Sequence, residues 1–310
     1  MVVGYPSMDL SNIFKIITHF LLINSDNLKV FIYKPHSHTG KKWIFVISNS
    51  INNERISGTG SSKYLFNAYL RSLSELGEEI IRVKYNMHSR SGLAGGLRKK
   101  NILNRCKSEL VERDSFFFHY RKCIPFQTPI LNSTKSCKDL ITFELSSKFD
   151  SIKVALVTKR IHFLENKPFV HFGTGANSNW ETAIKKAEDE YYSLLIFFEA
   201  NKKLILSWVD NNIKPKNVMY LHLLACFDER NIEIFKKLCS KSLYKDSNNN
   251  TEKNDEINEF WEIEKFNSPI KFFQFYKVEN SNLTPIVFGG QEFSKNSIST
   301  EQRSLYHPFW

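Results

Sequence analysis

The stretch Gly58-Thr-Gly-Ser-Ser-Lys-Tyr-Leu-Phe-Asn-Ala68, followed by Glu75 and Glu78, is the first of three related stretches in the chain. Each joins small residues to an apolar helical pattern that carries glutamates. The other two are Gly92-Leu-Ala-Gly-Gly-Leu-Arg-Lys-Lys-Asn-Ile102, followed by Glu109, Glu112 and Arg113, and Gly173-Thr-Gly-Ala-Asn-Ser-Asn-Trp-Glu-Thr-Ala183, followed by Glu190. The copies are too few and too unevenly spaced for a solenoid. They predict one turn-and-helix unit that is used three times inside a single fold.

The glutamates keep a fixed spacing in these stretches. One follows seven residues after Ala68, Ile102 and Ala183, and in the first two copies another follows three residues later. Residues three apart share one helix face, so each of two helices presents a pair of carboxylates. A solvated helix face is the simpler interpretation of either pair alone. Four converging carboxylates would instead require cations between them, and Mg²⁺ with phosphate oxygens suits such a site.

Composition narrows the class of protein. The chain has 310 residues, 42% of them hydrophobic, which is enough for a large core. The net charge of +11 fits a negatively charged partner such as nucleotide phosphate, an acidic peptide or nucleic acid. Lys and Arg are spread along the chain, which favours a generally cationic surface over a nucleic-acid groove. The five cysteines are widely spaced and include no C-x-x-C pair, so neither a disulfide framework nor a zinc site is indicated.

The N-terminal region contains an apolar stretch at residues 13–23, which Lys15 and His19 interrupt. It is too short to span a membrane and has no signal-peptide pattern. We therefore predict an amphipathic helix and a cytoplasmic protein without a membrane span.

The remaining pattern predicts helices interspersed with strand pairs, which is typical of an α+β fold with mixed sheets. Ser61 or Ser62 is the predicted N-cap of the first repeated helix, and the third repeated helix is predicted to open at Asn179. We divide the chain into an N-terminal helix and strand segment, residues 1–39, and a main domain, residues 40–310. Predicted helices cover residues 62–85, 99–120 and 229–241, with a third repeated helix after Asn179; predicted strands cover residues 29–34, 42–48, 140–145, 152–158, 168–172, 270–277 and 285–288.

The ordered set of repeats resembles the YcaO family. The stretch from Gly92 through Glu109-Leu-Val-Glu-Arg-Asp-Ser115 is similar to the family's small-residue turn and E-x-x-E-R-D-A helix. The first and third copies resemble two further family motifs, and the terminal His307-Pro-Phe resembles the His-Pro-Phe-Pro end of many azoline-forming members. The resemblance runs from about residue 40 to the C-terminus.

This resemblance implies an ATP- and Mg²⁺-dependent enzyme that phosphorylates a peptide backbone amide oxygen. A neighbouring Cys, Ser or Thr side chain then gives an azoline; some members form a thioamide or an amidine instead. The expected partners are a ribosomally made precursor peptide and a leader-binding or E1-like protein, with no nucleic acid. By the same resemblance, Mg²⁺ would be held by Glu75, Glu78, Glu109 and Glu112, and ATP phosphates would be contacted by Arg113, Lys63 and Arg303.

Several positions depart from the family pattern. Ser61 stands at the phosphate-contacting Lys, with Lys63 nearby, and Asn101 stands at a further metal-binding Glu; Arg71, Leu97, Ser193 and Trp310 also differ. Two alternatives therefore stand beside the enzyme. One is a catalytically impaired YcaO-like subunit or peptide-binding module, whose glutamates are satisfied by Lys and Arg. The other is an unrelated nucleotide- or nucleic-acid-binding protein.

Overall fold

The computed structural model describes residues 8–23, 26–33, 43–51, 54–87, 90–126, 140–159, 161–213, 223–240 and 260–283. They form an α+β structure, as predicted, and divide into two compact units. The first unit comprises residues 1–107 and 260–280, and the second comprises residues 108–259 and 281–310. The predicted boundary at residues 39/40 differs from this division, because a strand on each side of it pairs within one sheet.

The first unit is built on a three-stranded antiparallel sheet of β1 (Asp26–Tyr33), β2 (Trp43–Ile51) and β3 (Glu54–Ser62). The helices α1 (Met8–Leu21) and α2 (Leu65–Lys84) contribute to the same core. Its largest fully buried side chains include Phe45 and Tyr69, and the ring of Phe14 on α1 lies 4.9 Å from that of Phe45. The predicted N-terminal helix is confirmed, and α1 buries one face in this core.

A second sheet of the first unit joins distant parts of the chain in the order β10-β11-β4. Its strands are β4 (Leu93–Gly96), β10 (Glu262–Phe266) and β11 (Gln274–Glu279). The backbone amide of Ile23 donates to Pro269 O at 3.1 Å, and that of Lys271 donates to Leu21 O at 2.9 Å. Residues 260–280 thus belong to the same folded unit as the N-terminal helix.

The second unit repeats the arrangement of a three-stranded sheet and a helix. Strands β5 (Ile141–Leu145), β6 (Lys153–Thr158) and β9 (Phe172–Asn177) form an antiparallel sheet against α4 (Trp180–Ala200). A hairpin of β7 (His162–Leu164) and β8 (Lys167–Phe169) lies between β6 and β9 in the chain. Two further helices are α5 (Lys202–Asp210) and α6 (Glu229–Ser240). The helix α3 (Lys99–Lys122) has its first residues in the first unit and its remainder in the second.

The glycines of the repeats lie mainly in strands and not in the predicted turns. Gly58 and Gly60 are in β3, and Gly173 and Gly175 are in β9. A Cβ on Gly58 would lie 2.2 Å from Ser72 O, and one on Gly173 would lie 2.1 Å from Ala187 O. Small residues therefore allow each strand to approach its helix backbone closely.

The third repeated helix opens at Asn179, as predicted, whereas the predicted N-cap of the first repeated helix is wrong. Asn179 Oδ1 accepts from the Thr182 backbone amide at 3.0 Å, as an N-cap does. Ser61 and Ser62 remain paired with Ile44 and Trp43 in the sheet, so α2 begins only at Leu65.

Candidate active site

The carboxylate of Glu78 is enclosed by donors of the first unit. Its Oε1 accepts from the Gly95 backbone amide at 3.0 Å and from Arg105 Nη2 at 2.8 Å, and Ser74 Oγ lies 3.0 Å away. The side chain is 8% exposed. Glu78 thus has a structural partner for its charge and ties α2 to β4 and to the start of α3.

Glu75 lies one helical turn away in a different environment. Its Oε2 accepts from the Thr59 backbone amide at 2.7 Å, and Arg90 Nη1 is 3.5 Å from its other oxygen. Partial burial raises the pKa of Glu75 above its ordinary value, although Arg90 and the Thr59 amide oppose this shift. Arg90 also contacts Glu79 at 3.1 Å.

In the second unit, two carboxylates converge on one hydroxyl group. Thr174 Oγ1 lies 2.7 Å from Glu112 Oε1 and 3.1 Å from Glu190 Oε2, and the Thr174 backbone amide donates to Glu190 Oε2 at 2.6 Å. A hydroxyl carries a single proton, so Thr174 can donate to only one of the two carboxylates at a time. A proton or a cation on the other carboxylate would therefore stabilise the pair.

The pKa values of Glu190 and Glu112 are both raised, as expected for two poorly solvated carboxylates this close together. Burial, followed by the negative charge of Glu112, raises the pKa of Glu190 to about 8. Burial also raises the pKa of Glu112, against the hydrogen bond from Thr174 and the positive charges of Lys186 and Arg113. Two neighbouring carboxylates in a poorly solvated place cannot both ionise at low cost.

Arg113 lies beside this pair on α3. Its Nη2 is 3.0 Å from Glu109 Oε1, one turn earlier, and its side chain is 14% exposed. The positive charge of Arg113 lowers the pKa of both Glu112 and Glu190. Glu109, Glu112 and Arg113 therefore form one charged face of α3 with Glu190 of α4.

The first and third copies place equivalent residues alike. The Thr59 amide donates to Glu75 as the Thr174 amide donates to Glu190, each from a Gly-Thr-Gly strand. The basic residues repeat as well: Arg71 Nη1 donates to Ser61 O at 2.7 Å, and Lys186 Nζ donates to Ala176 O at 2.9 Å. The second copy differs, because its small residues form β4 and pair with β11.

Glu190 and Thr174 are not among the site residues predicted from the sequence. The signal for Glu190 was present, since it stands seven residues after Ala183 as Glu75 does after Ala68. Thr174 corresponds to Thr59 within the Gly-Thr-Gly pattern.

The other described positions singled out in the sequence are mostly exposed to solvent. Lys63 and Arg71 are exposed, as are Asn101 and Leu97. Ser193 Oγ donates to Asp189 O at 2.7 Å. Arg303 and the tail His307-Pro-Phe-Trp310 lie outside the described residues.

The four predicted metal ligands fall in different units, Glu75 and Glu78 in the first and Glu109 and Glu112 in the second. Their convergence on one cavity stays a prediction. Within the described parts of the chain, no three His, Cys, Asp or Glu side chains form a group suited to a metal ion. In the same residues, no helix combines the length and apolar character needed to cross a membrane.

No family model and no curated protein sequence matches the chain. A chain of the E. coli microcin synthetase McbBCD complex has a similar structure, with a TM-score of 0.60 and 10% identity, covering 93% of this chain and 98% of that one. YcaO from Methanopyrus kandleri bound with AMPPCP and Mg²⁺ matches with a TM-score of 0.44 and 12% identity, over 58% of this chain and 65% of that chain. The chain shares its α+β fold with the microcin synthetase chain, so the α+β fold predicted from the sequence is confirmed. The assignment to the YcaO family stays a prediction.

Proposed function

We propose that the chain is an ATP- and Mg²⁺-dependent enzyme that activates backbone amides of a ribosomally made precursor peptide. The observation that supports this most is the Glu112–Glu190 pair around Thr174, with Arg113 beside it. The shared fold with a chain of a microcin synthetase complex supports the same kind of substrate and suggests partner subunits.

The residues around Thr174 fit a hard cation. Mg²⁺ is usually held by one or two protein carboxylates, with water and substrate phosphates completing its coordination. Glu112 and Glu190 supply two such carboxylates, and Glu109 adds negative charge nearby. When bound, Mg²⁺ would bridge and neutralise nucleotide phosphates during phosphoryl transfer.

The chain's own residues then have distinct tasks. Glu112 and Glu190 would hold the cation, and Thr174 orients both carboxylates through its hydroxyl and amide groups. Arg113, held by Glu109, supplies positive charge for phosphate oxygens. Glu75 occupies in the first unit the position that Glu190 has in the second, so it is a further candidate metal ligand. Glu78 could bind a metal only after its ion pair with Arg105 had broken.

A Cys, Ser or Thr side chain of the peptide adds to the preceding carbonyl carbon and gives up its S–H or O–H proton to solvent. The former amide oxygen accepts the γ-phosphoryl group of ATP, which releases ADP. The C–O bond then breaks to release phosphate, and loss of the amide proton to solvent leaves the C=N bond of an azoline ring. An external sulfide or amine in place of the side chain would give the thioamide or amidine. A leader-binding or E1-like protein would present the peptide.

Nucleotide binding by the purified chain tests this function. We expect ATP or AMPPCP to bind only with Mg²⁺ in calorimetry, and Glu112→Gln to weaken binding about tenfold or more, because a carboxylate–metal contact in a shielded site contributes more than 1 kcal/mol. Glu199→Gln, an exposed change on α4, is the matched control. Addition of a candidate precursor peptide should stimulate release of phosphate.

The opposite result would identify the alternative function. If the wild-type chain binds no Mg²⁺-nucleotide, and Glu112→Gln only raises thermal stability, the carboxylates crowd one another without serving a metal. The chain would then act as an impaired subunit or peptide-binding module.

A further inference from the structure

A groove of about 460 Å³ lies in the first unit, between the first two turns of α3 and strand β10. None of the carboxylates described above lines this groove. Its lining, called here the α3–β10 groove, consists of Lys99, Lys100, Leu103, Asn104, Lys107 and Ile263. Half of these residues are lysines and none is acidic, so the groove carries a positive charge.

Aromatic rings of the sheet hold two of the lysines over the groove. Lys107 Nζ lies 4.9 Å from the ring centroid of Trp261, and Lys99 Nζ lies 5.5 Å from that of Tyr276. Such cation–π contacts restrain an ammonium group while leaving its N–H donors available. These contacts restrict where the ammonium groups of Lys99 and Lys107 lie, so the positive charge stays near the rings of Tyr276 and Trp261.

Strand β10 forms the edge of its sheet among the described strands, in the order β10-β11-β4. Four of its five residues are exposed, and the exposed fraction of Ile263 is 49%. The outer side of an edge strand presents backbone N–H and C=O groups that can pair with another extended chain. The groove thus combines a lysine-rich lining with a strand edge that no described strand pairs with.

The side chains of β10 alternate between two faces. Ile263 lines the groove, so Lys265, two residues later, shares its face, whereas Glu262 and Glu264 are on the opposite face. A peptide strand added beside β10 would also alternate its side chains between these two faces. Side chains on the face of Ile263 would lie near the lysines, where acidic residues are favoured. Side chains on the opposite face would lie near Glu262 and Glu264, where acidic residues are disfavoured.

We propose that the α3–β10 groove docks an extended peptide segment with acidic residues at alternate positions, which pairs with β10 as an additional strand. The alternating acidic side chains contact Lys99, Lys100 and Lys107, and the backbone supplies sequence-independent affinity. This docking does not require ATP, so it can fail or succeed independently of the proposed function.

Fluorescence anisotropy with defined peptides tests this proposal. The probes are a fluorescein-labelled alternating peptide, Glu-Thr-Glu-Thr-Glu-Thr-Glu-Thr, a block peptide of the same composition, Glu-Glu-Glu-Glu-Thr-Thr-Thr-Thr, and the alternating peptide with N-methyl groups on every amide, which cannot donate from either edge. We expect the alternating peptide to bind about fivefold or more tightly than either of the others, because only it can satisfy both the charge pattern and the strand pairing. Binding should weaken as salt is raised.

Variants of the full chain locate the site. The double substitution Lys99→Gln/Lys107→Gln should weaken binding about tenfold, and Ile263→Asp should weaken it as well by adding a negative charge to the groove. Lys29→Gln is the matched control, because Lys29 is an exposed lysine on β1, an edge strand of the other sheet in this unit. Circular dichroism melts confirm that the variants are folded.

Three outcomes would overturn the proposal. One is equal binding of the alternating and block peptides, or of the N-methylated form. Another is unchanged affinity in the double variant and in Ile263→Asp. The third is a single-stranded oligonucleotide that binds more tightly than the alternating peptide and competes with it, which would make the groove a nucleic-acid site.

Discussion

Burial and the neighbouring carboxylate of Glu112 both raise the pKa of Glu190. The pKa of Glu190 is about 8, against an ordinary value of 4.5. Between these two values the folded state binds more protons than the unfolded state does. The free energy of unfolding therefore falls as pH rises through this window, and the penalty is fully present above pH 8.

We expect Glu190→Gln to remove this dependence. The amide keeps an acceptor for the Thr174 backbone amide and carries no charge, so at pH 8.5 the melting temperature should rise by about 5 °C. Near pH 4.5 the variant and the wild type should melt alike. Thermal unfolding from pH 4.5 to 8.5 measures this, with Glu199→Gln as the control on α4. Parallel curves for all three proteins would show that folding does not shift the pKa of Glu190.

Glu78 allows a test of a structural carboxylate. In Glu78→Gln the amide oxygen can still accept from the Gly95 amide, and Arg105, whose side chain is 47% exposed, can be solvated. We expect a loss of about 1 kcal/mol in the free energy of unfolding, against about 3 kcal/mol for Glu78→Leu, which leaves the Gly95 donor unsatisfied. Urea denaturation measures both. Equal losses would contradict the role given to the Gly95 hydrogen bond.

At the scale of the element, close packing of strand on helix explains the Gly-Thr-Gly pattern. A Cβ at Gly58 or Gly173 would overlap helix backbone, which cannot move as a side chain can. We expect Gly58→Ala and Gly173→Ala each to cost about 3 kcal/mol or more of stability by overpacking. Gly96→Ala is the control, since its Cβ would lie 3.2 Å from the Ile102 side chain, which can adjust. Chemical denaturation that ranks Gly96→Ala with the other two would contradict this packing.

Local periodicity predicted the repeated helices well, and α3 begins at Lys99 as expected. It did not distinguish a glycine needed for a turn from one needed for close approach, because both lack a side chain for the same steric reason. Gly92, with φ of 76°, is of the first kind, and Gly58 is of the second. Strand β10 was missed because its sequence Glu262-Ile-Glu-Lys-Phe266 carries charged residues on both faces, and four of its five residues are exposed.

At the scale of the whole molecule, pairing between strands that are distant in sequence determines which residues belong to each unit. Neither the return of residues 260–280 to the first unit nor the pairing of β11 with β4 leaves a local signal in the sequence. The paired glutamates were predictable because the repeat aligned them, but the meeting of Glu112 with Glu190 depends on how α3 and α4 pack. Spacing along one helix cannot supply that information.

Removal of residues 1–39 tests whether the N-terminal segment is a separate domain, as the sequence suggested, or part of the first unit. The segment carries α1 and β1, and five of its apolar residues are buried in the core that α2 completes; these are Phe14, Leu22, Leu28, Val30 and Ile32. Burial of each such side chain contributes about 2 kcal/mol, and the whole stability of a domain is about 5–15 kcal/mol. The fragment of residues 40–310 should therefore lose the cooperative unfolding of its first unit. Hydrogen exchange would show rapid exchange of amides in β2, β3 and α2, whereas protection of these amides equal to that in the full chain would establish an independent N-terminal domain.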